Sequence, residues 1–288
     1  FFILMFIWLA SYPKSGNTLV RSLLSSYFFS KDGIYNFNLT KNIKQFPTIK
    51  LFENLGIDIT NEKEVIANYI RVQQSFNKKE STQFLKTHSY LFNIENNAFT
   101  DLNVSLGAIY IVRDPRNVVT SFANHSSISI DESTNVLINE WVLGGNFNSF
   151  NYTEKTTLYS GTWATNYKSW KSFKSQGKYL LIKYEDLVNE KEETLLKILK
   201  FIYKLNKKNF ELDQVKFKNV IDSTSFERMK TLEEKIGFNE SKVDKKTGKK
   251  IPFFNLGKEN DWKKMITPTI RKKIENAFKE EMEELGYL

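Results

Sequence analysis

A turn-rich segment decides the fold, and it reads Ser11-Tyr12-Pro13-Lys14-Ser15-Gly16-Asn17-Thr18. Residues 1–10 before it form an apolar run, which is typical of a parallel strand buried on both faces. Behind it, apolar residues recur at helical spacing over 19–28. The order strand, loop, helix predicts an anion site, because a helix N-terminus presents unpaired N–H groups and the positive end of its dipole.

The chemistry of this loop fits a phosphate group. It supplies a cation, a glycine that allows close backbone approach, and two hydroxyls, from Lys14, Ser15, Gly16, Asn17 and Thr18. The nucleoside-triphosphate pattern G-x-x-x-x-G-K-[ST] is absent, since Lys14 precedes Gly16 instead of following it. Taken alone, the loop also fits a plain strand-to-helix turn.

The rest of the chain alternates strands with helices. Further buried strands are predicted at 83–86, 108–112 and 179–183, and helices at 62–74, 135–143 and 192–203. This alternation predicts a three-layer α/β/α architecture with a central, mainly parallel sheet. No repeat or linker divides the chain, so we expect residues 1–288 to form a single domain. The Lys-rich segment 242–250 is expected to be a mobile loop, and a polar helix is expected at 268–285.

Composition limits the chemistry. The 42 Lys and Arg exceed the 33 Asp and Glu, and the resulting net charge of +9 would attract anionic partners. The absence of Cys excludes disulfides and thiol catalysis, and two His leave no His-rich metal cluster. The apolar run at 1–10 is shorter than the roughly 20 residues that span a bilayer. We therefore expect a cytoplasmic protein with no membrane partner and no metal.

A second segment follows the strand predicted at 108–112, and it reads Arg113-Asp114-Pro115-Arg116-Asn117-Val118-Val119-Thr120-Ser121. Arg grips phosphate with two parallel hydrogen bonds, and Ser121 two helical turns later could add a hydroxyl to the same anion. The alternative is a helix start that Asp114 caps, with the arginines in surface ion pairs.

Together these segments resemble the cytosolic-type sulfotransferases, which use 3′-phosphoadenosine 5′-phosphosulfate (PAPS). Five further matches follow in the family's order: Phe84-Leu85-Lys86-Thr87-His88, Gly161-Thr162-Trp163, Tyr184-Glu185-Asp186, Thr224-Ser225-Phe226, and Gly257 with Asp261-Trp262-Lys263. The resemblance covers nearly the whole chain and implies a P-loop-like nucleotide-binding fold.

The resemblance also implies a donor site. Its 5′-phosphosulfate would be held by the loop from Lys14 to Thr18, and its 3′-phosphate by Arg113 and Ser121. The adenine would lie between Tyr184 and Phe226, with Thr224 bonded to its edge. These roles agree with chemistry, because a purine needs apolar or aromatic faces and each anionic group needs its own cradle.

The implied reaction is in-line transfer of the sulfuryl group to a small acceptor, through its hydroxyl or an amine, with no metal. His88 would be the general base, because the ordinary pKa of histidine lies near neutrality. Lys14 would contact the bridging and leaving oxygens, and Lys86 the sulfuryl oxygens. The product of the donor would be adenosine 3′,5′-bisphosphate (PAP).

Some segments depart from the family. The Arg-Lys-Gly that helps to hold the 3′-phosphate reads Asn255-Leu256-Gly257 here, so Gly257 and Lys258 are the candidates to replace it. Leu19 stands where members often have Trp. The dimerisation motif at 263–272 is degraded, which leaves the oligomeric state open.

Other readings stay open. One alternative is a nucleotide-dependent phosphotransferase, which the missing Walker lysine disfavours. Another is a degenerate, noncatalytic member that binds a nucleotide or a polyanion, which Asn255 and Leu256 favour. No RNA-binding signature is visible, so no nucleic-acid partner is expected. Aromatic residues in motif-free segments point to an apolar or aromatic acceptor, namely Tyr35, Phe37, Phe46, Trp141, Phe147 and Phe150.

Overall fold

The computed structural model describes residues 5–76, 83–139, 142–143, 158–244 and 247–288. Its strands are β1 (Phe6–Ser11), β2 (Lys44–Gln45), β3 (Gln83–Thr87), β4 (Asn93–Ile94), β5 (Asn97–Ala98), β6 (Ser105–Val112), β7 (Val142–Leu143), β8 (Leu158–Tyr159), β9 (Tyr179–Lys183), β10 (Lys242–Val243) and β11 (Lys250–Ile251). Five of them form a parallel sheet in the order β2-β3-β1-β6-β9. The others form antiparallel pairs, β4 with β5, β7 with β8, and β10 with β11.

Helices cover both faces of the sheet. They are α1 (Asn17–Phe29), α2 (Ile49–Glu53), α3 (Glu62–Ala67), α4 (Tyr69–Gln74), α5 (Pro115–Ser126), α6 (Ile130–Ile138), α7 (Trp163–Trp170), α8 (Tyr184–Asn189), α9 (Lys191–Leu205), α10 (Gln214–Ser223), α11 (Phe226–Ile236), α12 (Trp262–Met265), α13 (Pro268–Ala277) and α14 (Lys279–Glu284). Short 3₁₀ helices lie at Phe37–Asn42, Lys171–Gln176 and Gly257–Glu259. The expected α/β/α layers with a parallel sheet are therefore confirmed.

The central strand β1 is buried along its whole length, as its apolar run predicts. Successive side chains of a strand point to opposite faces, so Ile7 and Leu9 pack with α1, α9 and α10. Phe6 and Trp8 face the other way, into a larger cluster that α4, α7 and α13 cover. Because β1 lies between β3 and β6, the loop after it opens at the middle of the sheet edge.

Several predicted element bounds are corrected. The helix expected at 135–143 is Ile130–Ile138, because Ser129 and Glu132 form a reciprocal capping box that starts it earlier. Val142–Leu143 is instead the strand paired with Leu158–Tyr159. The segment 62–74 is two helices that meet at Asn68, whose side-chain amide donates to the Glu64 carbonyl 2.8 Å away.

The C-terminal part of the chain is tied to the start of α5. The polar helix expected at 268–285 is two helices, α13 and α14. Arg116 donates to Asp114, Glu275 and the Tyr287 carbonyl, at 2.6–2.7 Å, and its guanidinium lies 4.0 Å from the centre of the Trp262 ring. Arg116 is therefore buried and holds the C-terminal segment against α5. This agrees with the alternative in which the arginines of this segment form ion pairs, except that the pairs of Arg116 are buried and not on the surface.

Candidate functional site

A cavity of about 980 Å³ opens where β1, β3, β6 and β9 end. It is lined by nearly all of the residues singled out in the sequence: Lys14, Gly16, Asn17, Thr18, Lys86, His88, Arg113, Ser121, Tyr184, Thr224, Phe226, Gly257 and Lys258. Ser15 is fully buried directly beneath this lining. Parallel strands bring their carboxyl ends to one edge, so motifs far apart in sequence meet in one cleft.

The first loop has the backbone of an anion cradle. Lys14 has φ 65° and Gly16 has φ 101°, so both residues adopt left-handed conformations just before α1 begins. The side-chain amide of Asn17 donates to the Leu9 carbonyl at 2.9 Å and to the Ser11 hydroxyl at 3.2 Å. Asn17 therefore ties the start of α1 to β1, and its own backbone N–H remains at the helix N-terminus for a ligand.

Three motifs touch one another at this loop. A Cβ added to Gly16 would lie 2.4 Å from Cδ2 of Tyr184, so only glycine fits beneath that ring. The Arg113 guanidinium lies 4.2 Å from the centre of the Tyr184 ring and donates to the Lys14 carbonyl at 3.1 Å. Loop, aromatic wall and arginine thus form one packed unit.

Three polar atoms of this unit lack partners. Within the part of the chain that the structure describes, the Ser15 hydroxyl, Oδ1 of Asn17 and Nε of Arg113 are buried and make no hydrogen bond. Buried donors are costly when unpaired, and Arg113, which lines the cavity, would find a partner in an anionic ligand there. The residues present therefore fit a phosphate-bearing group.

Two lysines in the cleft hold their protons weakly. Burial, with Arg113 nearby, lowers the pKa of Lys14 to about 7, although Glu240 acts in the opposite direction. The Lys14 ammonium lies 4.1 Å from the centre of the Phe253 ring. Burial likewise lowers the pKa of Lys86 to about 8. A dianionic ligand would restore both charges, because an opposite charge nearby favours the protonated ammonium.

His88 is held as a neutral imidazole. Its Nδ1 lies 2.9 Å from the Ser11 carbonyl, and since a carbonyl only accepts hydrogen bonds, Nδ1 carries the proton. Nε2 is then unprotonated. Burial, and next the charge of Lys86, lower the pKa of His88 to about 3. Nε2 is therefore free to take a proton from a substrate, but the lowered pKa makes this imidazole a weaker base than the near-neutral pKa on which the sequence expectation rests.

His125, the other histidine, also lines the cavity and meets the Phe253 ring edge-on at 5.9 Å. Burial, followed by the charge of Lys14, lowers its pKa to about 2. His125 thus contacts an aromatic wall of the cavity.

On the expected adenine side, Phe226 lies across Gly257. A Cβ on Gly257 would lie 2.8 Å from that ring. The Thr224 hydroxyl donates to the Val220 carbonyl at 2.6 Å, so its proton is already used and only its lone pairs remain for a base edge. The Thr224 carbonyl accepts a hydrogen bond from Lys191 at 2.8 Å.

The segment that departs from the family is docked on α5. Asn260 accepts from the Thr120 hydroxyl at 2.8 Å, and the Trp262 N–H donates to Asn117 at 2.9 Å. These bonds bring Gly257 and the exposed Lys258 to the cavity that Arg113 and Ser121 also line. The nearby segment 242–250 begins with β10 and ends at the first residue of β11, and these two strands are paired.

The structure adds residues that the sequence analysis missed. Glu240 accepts a hydrogen bond from the Thr18 hydroxyl at 2.9 Å, pairs with Arg21, and lies 3.9 Å from the Lys86 ammonium. Burial would raise the pKa of Glu240, but Lys86 and Arg21 hold it well below its usual range. No local pattern marks Glu240, Arg21, Phe253 or Lys191, because each meets the site only through tertiary packing.

The aromatic residues proposed for the acceptor are in part core residues. Phe46 is fully buried and packs on Trp8, with ring centres 5.8 Å apart. Tyr35 and Phe37 belong to a cluster with Phe254. Trp141, Phe147 and Phe150 lie outside the described residues.

Two kinds of feature are absent from the described ranges. No helix there is long and apolar enough to cross a membrane. In the same ranges, no group of three or more His, Asp or Glu side chains is arranged to hold a metal ion.

Comparison with known proteins gives a family. Residues 6–286 match the family described as "Sulfotransferase domain". The chain is 28% identical to Sulfotransferase 2A1 of Rattus norvegicus over 71% of its own length and 66% of that protein. It is 24% identical to Sulfotransferase 1B1 of Canis lupus familiaris, over 96% of this chain and 83% of that protein. The match thus spans only 65–66% of the length of the rat and mouse 2A1 relatives.

Solved structures share the fold. Mouse sulfotransferase SULT7A1 complexed with PAP has a TM-score of 0.58 and 19% identity, covering 96% of this chain and 84% of that one. Retinol dehydratase in complex with retinol and PAP has a TM-score of 0.59 and 16% identity, covering 96% of this chain and 80% of that one. The expected P-loop-like sulfotransferase fold is confirmed.

Proposed function

The chain belongs to the sulfotransferase domain family, and from that premise we propose that it is a PAPS-dependent sulfotransferase. It moves a sulfuryl group from PAPS to the hydroxyl, or amine, of a small apolar or aromatic acceptor. The observation that carries this proposal is the meeting of Lys14, Lys86, His88 and Arg113 in one cavity at the carboxyl edge of the sheet. A neutral base, two lysines and a separate guanidinium suit sulfuryl transfer, which needs a proton acceptor for the hydroxyl and positive charge beside each anionic group of the donor.

The donor is assigned to two cradles and an aromatic slot. The loop from Lys14 to Thr18 holds the 5′-phosphosulfate through backbone N–H groups and the Ser15 hydroxyl, while Arg113 and Ser121 hold the 3′-phosphate. Gly257 and Lys258 supplement the 3′ side. Tyr184 and Phe226 flank the adenine, and Thr224 accepts a hydrogen bond from its edge.

The transfer step uses the neutral imidazole. His88 Nε2 removes the proton of the acceptor hydroxyl as its oxygen forms a bond to sulfur. The bond between sulfur and the bridging oxygen breaks, and that oxygen leaves with its electron pair on PAP. Lys14 neutralises the leaving phosphate oxygens and Lys86 the sulfuryl oxygens, so electrostatic positioning accounts for most of the rate.

The test is incubation with PAPS and a panel of phenols, alcohols and amines, with released PAP and sulfated product measured together. PAP should also raise the melting temperature, since a ligand that binds only the native state stabilises it. Equal stabilisation by ATP would favour the phosphotransferase. Binding of PAP without turnover on any acceptor would favour a noncatalytic member, the reading that Asn255 and Leu256 keep open.

A further inference from the structure

Glu240 brings a carboxylate to the mouth of the 5′ cradle. One of its oxygens accepts the Thr18 hydroxyl at 2.9 Å, and the other lies 3.9 Å from the Lys86 ammonium. The side chain of Lys86 is only 9% exposed, so this pair is poorly screened by water. Under the proposed function, Thr18 and Lys86 are groups that bind the phosphosulfate, and an internal anion already contacts both.

Arg21 gives Glu240 a third, fixed partner. It lies one turn after Thr18 on α1 and its side chain is buried. One guanidinium nitrogen donates to the carbonyls of Thr40 and Ile43, at 3.3 and 3.2 Å, while the other pairs with Glu240. Because backbone carbonyls fix its position, Arg21 can stay paired with Glu240 when Thr18 and Lys86 bind another anion.

The two anions compete for the same donors. The Thr18 hydroxyl has a single proton, which it can give either to Glu240 or to a phosphate oxygen. A phosphosulfate oxygen on Lys86 would also stand beside the Glu240 carboxylate, and like charges at that range repel. The donor and Glu240 therefore exclude each other at the Thr18 hydroxyl, and at Lys86 they repel each other.

We propose that Glu240 is an exchangeable internal ligand of the donor cradle. Before the donor binds, its carboxylate occupies the Thr18 hydroxyl and offsets the charge of Lys86. When the phosphosulfate enters, it takes over both groups and Glu240 stays on Arg21 alone. The inference rests on the proposed function, and it makes donor affinity the outcome of a competition inside the protein.

The test measures PAP binding by calorimetry at about pH 6, a unit below the pKa of Lys14 of about 7. PAP carries the 5′-phosphate but not the sulfuryl group assigned to Lys86, so its binding tests the competition at Thr18. Glu240→Gln should bind PAP about tenfold more tightly than the wild type, the order expected for releasing one charge-assisted hydrogen bond. The control is Glu227→Gln, which removes an exposed carboxylate from the same cavity wall. Its PAP affinity should change by less than about twofold, because exposed charges are screened.

A second variant keeps the test valid if Glu240→Gln unfolds, because that substitution leaves the buried Arg21 without its counter-charge. The double variant Arg21→Met with Glu240→Gln removes both charges and should also bind PAP more tightly than the wild type. Unchanged or weaker binding by both variants, in folded protein, overturns the inference while wild-type binding of PAP upholds the proposed donor. An equal gain in Glu227→Gln overturns it as well. A wild type that does not bind PAP overturns both.

Discussion

The ring of Tyr184 lies so close to Gly16 that a Cβ at residue 16 would stand 2.4 Å from its Cδ2 atom. Gly16 belongs to the phosphate-type loop and Tyr184 to the wall assigned to adenine, and the Arg113 guanidinium lies 4.2 Å from the centre of the same ring. The three parts of the donor site are therefore fixed relative to one another before any ligand binds. This reduces the conformational entropy that the protein loses on binding.

Gly16→Ala should abolish PAP binding at millimolar ligand and lower the free energy of unfolding by about 1–3 kcal/mol, because its Cβ overlaps Tyr184 and its φ of 101° disfavours L residues. Calorimetry and urea denaturation measure the two effects. Gly177→Ala is the control, since Gly177 also has a positive φ, 63°, but nothing lies near its Cβ position. It should lose stability alone, and wild-type PAP affinity in Gly16→Ala would contradict the packing argument.

His88→Ala should lower turnover by about 10² to 10⁴, the usual scale for losing a general base, while PAP binding stays nearly intact. The reason is geometric, because the Ser11 carbonyl holds the Nδ1 proton and leaves Nε2 to act as base. Steady-state kinetics with saturating PAPS, together with calorimetry, measure the two quantities separately.

The matched control for that variant is His125→Ala, which removes the other histidine of the cavity. Its ring meets Phe253 edge-on and should matter far less to turnover. Near-normal turnover of His88→Ala on a nonphenolic alcohol would mean that another group takes the proton.

PAP affinity should fall as pH rises from about 6 through 7 and 8. The sign follows from the lysines, whose ammonium protons leave as pH passes the pKa values of about 7 for Lys14 and about 8 for Lys86. Because the bound anion raises both pKa values, binding near pH 7.5 takes up protons. Calorimetry in buffers of different ionisation enthalpy gives the number of protons, and zero uptake across this range would contradict the prediction.

Arg113→Ala should weaken PAP binding by about 1.5–3 kcal/mol, the range for hydrogen bonds to charged groups. Its side chain is buried, and its Nε has no hydrogen-bond partner within the described residues. Lys258→Ala should cost less, because Lys258 is exposed and its charge is screened. A larger loss in Lys258→Ala than in Arg113→Ala would place the main 3′-phosphate contact near Gly257.

Local signals made much of the fold predictable. An apolar run ending in a turn located β1 and the loop behind it, and the alternation of strands and helices gave the layers. The ends of helices were predicted less accurately where a capping residue decides them. Ser129 caps α6, which begins at Ile130, five residues before the predicted start. The edge strand β2 has only the residues Lys44 and Gln45, too few to show a pattern.

The residues of the site, too, were predictable only where a local sequence pattern marks them. The site residues assigned from the ordered motifs line one cavity, except for the buried Ser15. Glu240 could not be predicted, because it stands 222 positions from its partner Thr18 in a segment without a motif. Phe253, which covers the Lys14 ammonium, is likewise visible only after folding.

The hydrogen bond from Thr18 to Glu240 has a consequence for synthesis on the ribosome. At about 5–20 residues per second, the 222 residues between them take on the order of 10–40 s to emerge. During that time the loop has neither Glu240 nor Phe253 over it, and β1 must wait for β6 before its second edge is paired. A nascent chain of this protein therefore carries its donor loop without the Glu240 carboxylate and the Phe253 ring for most of its translation.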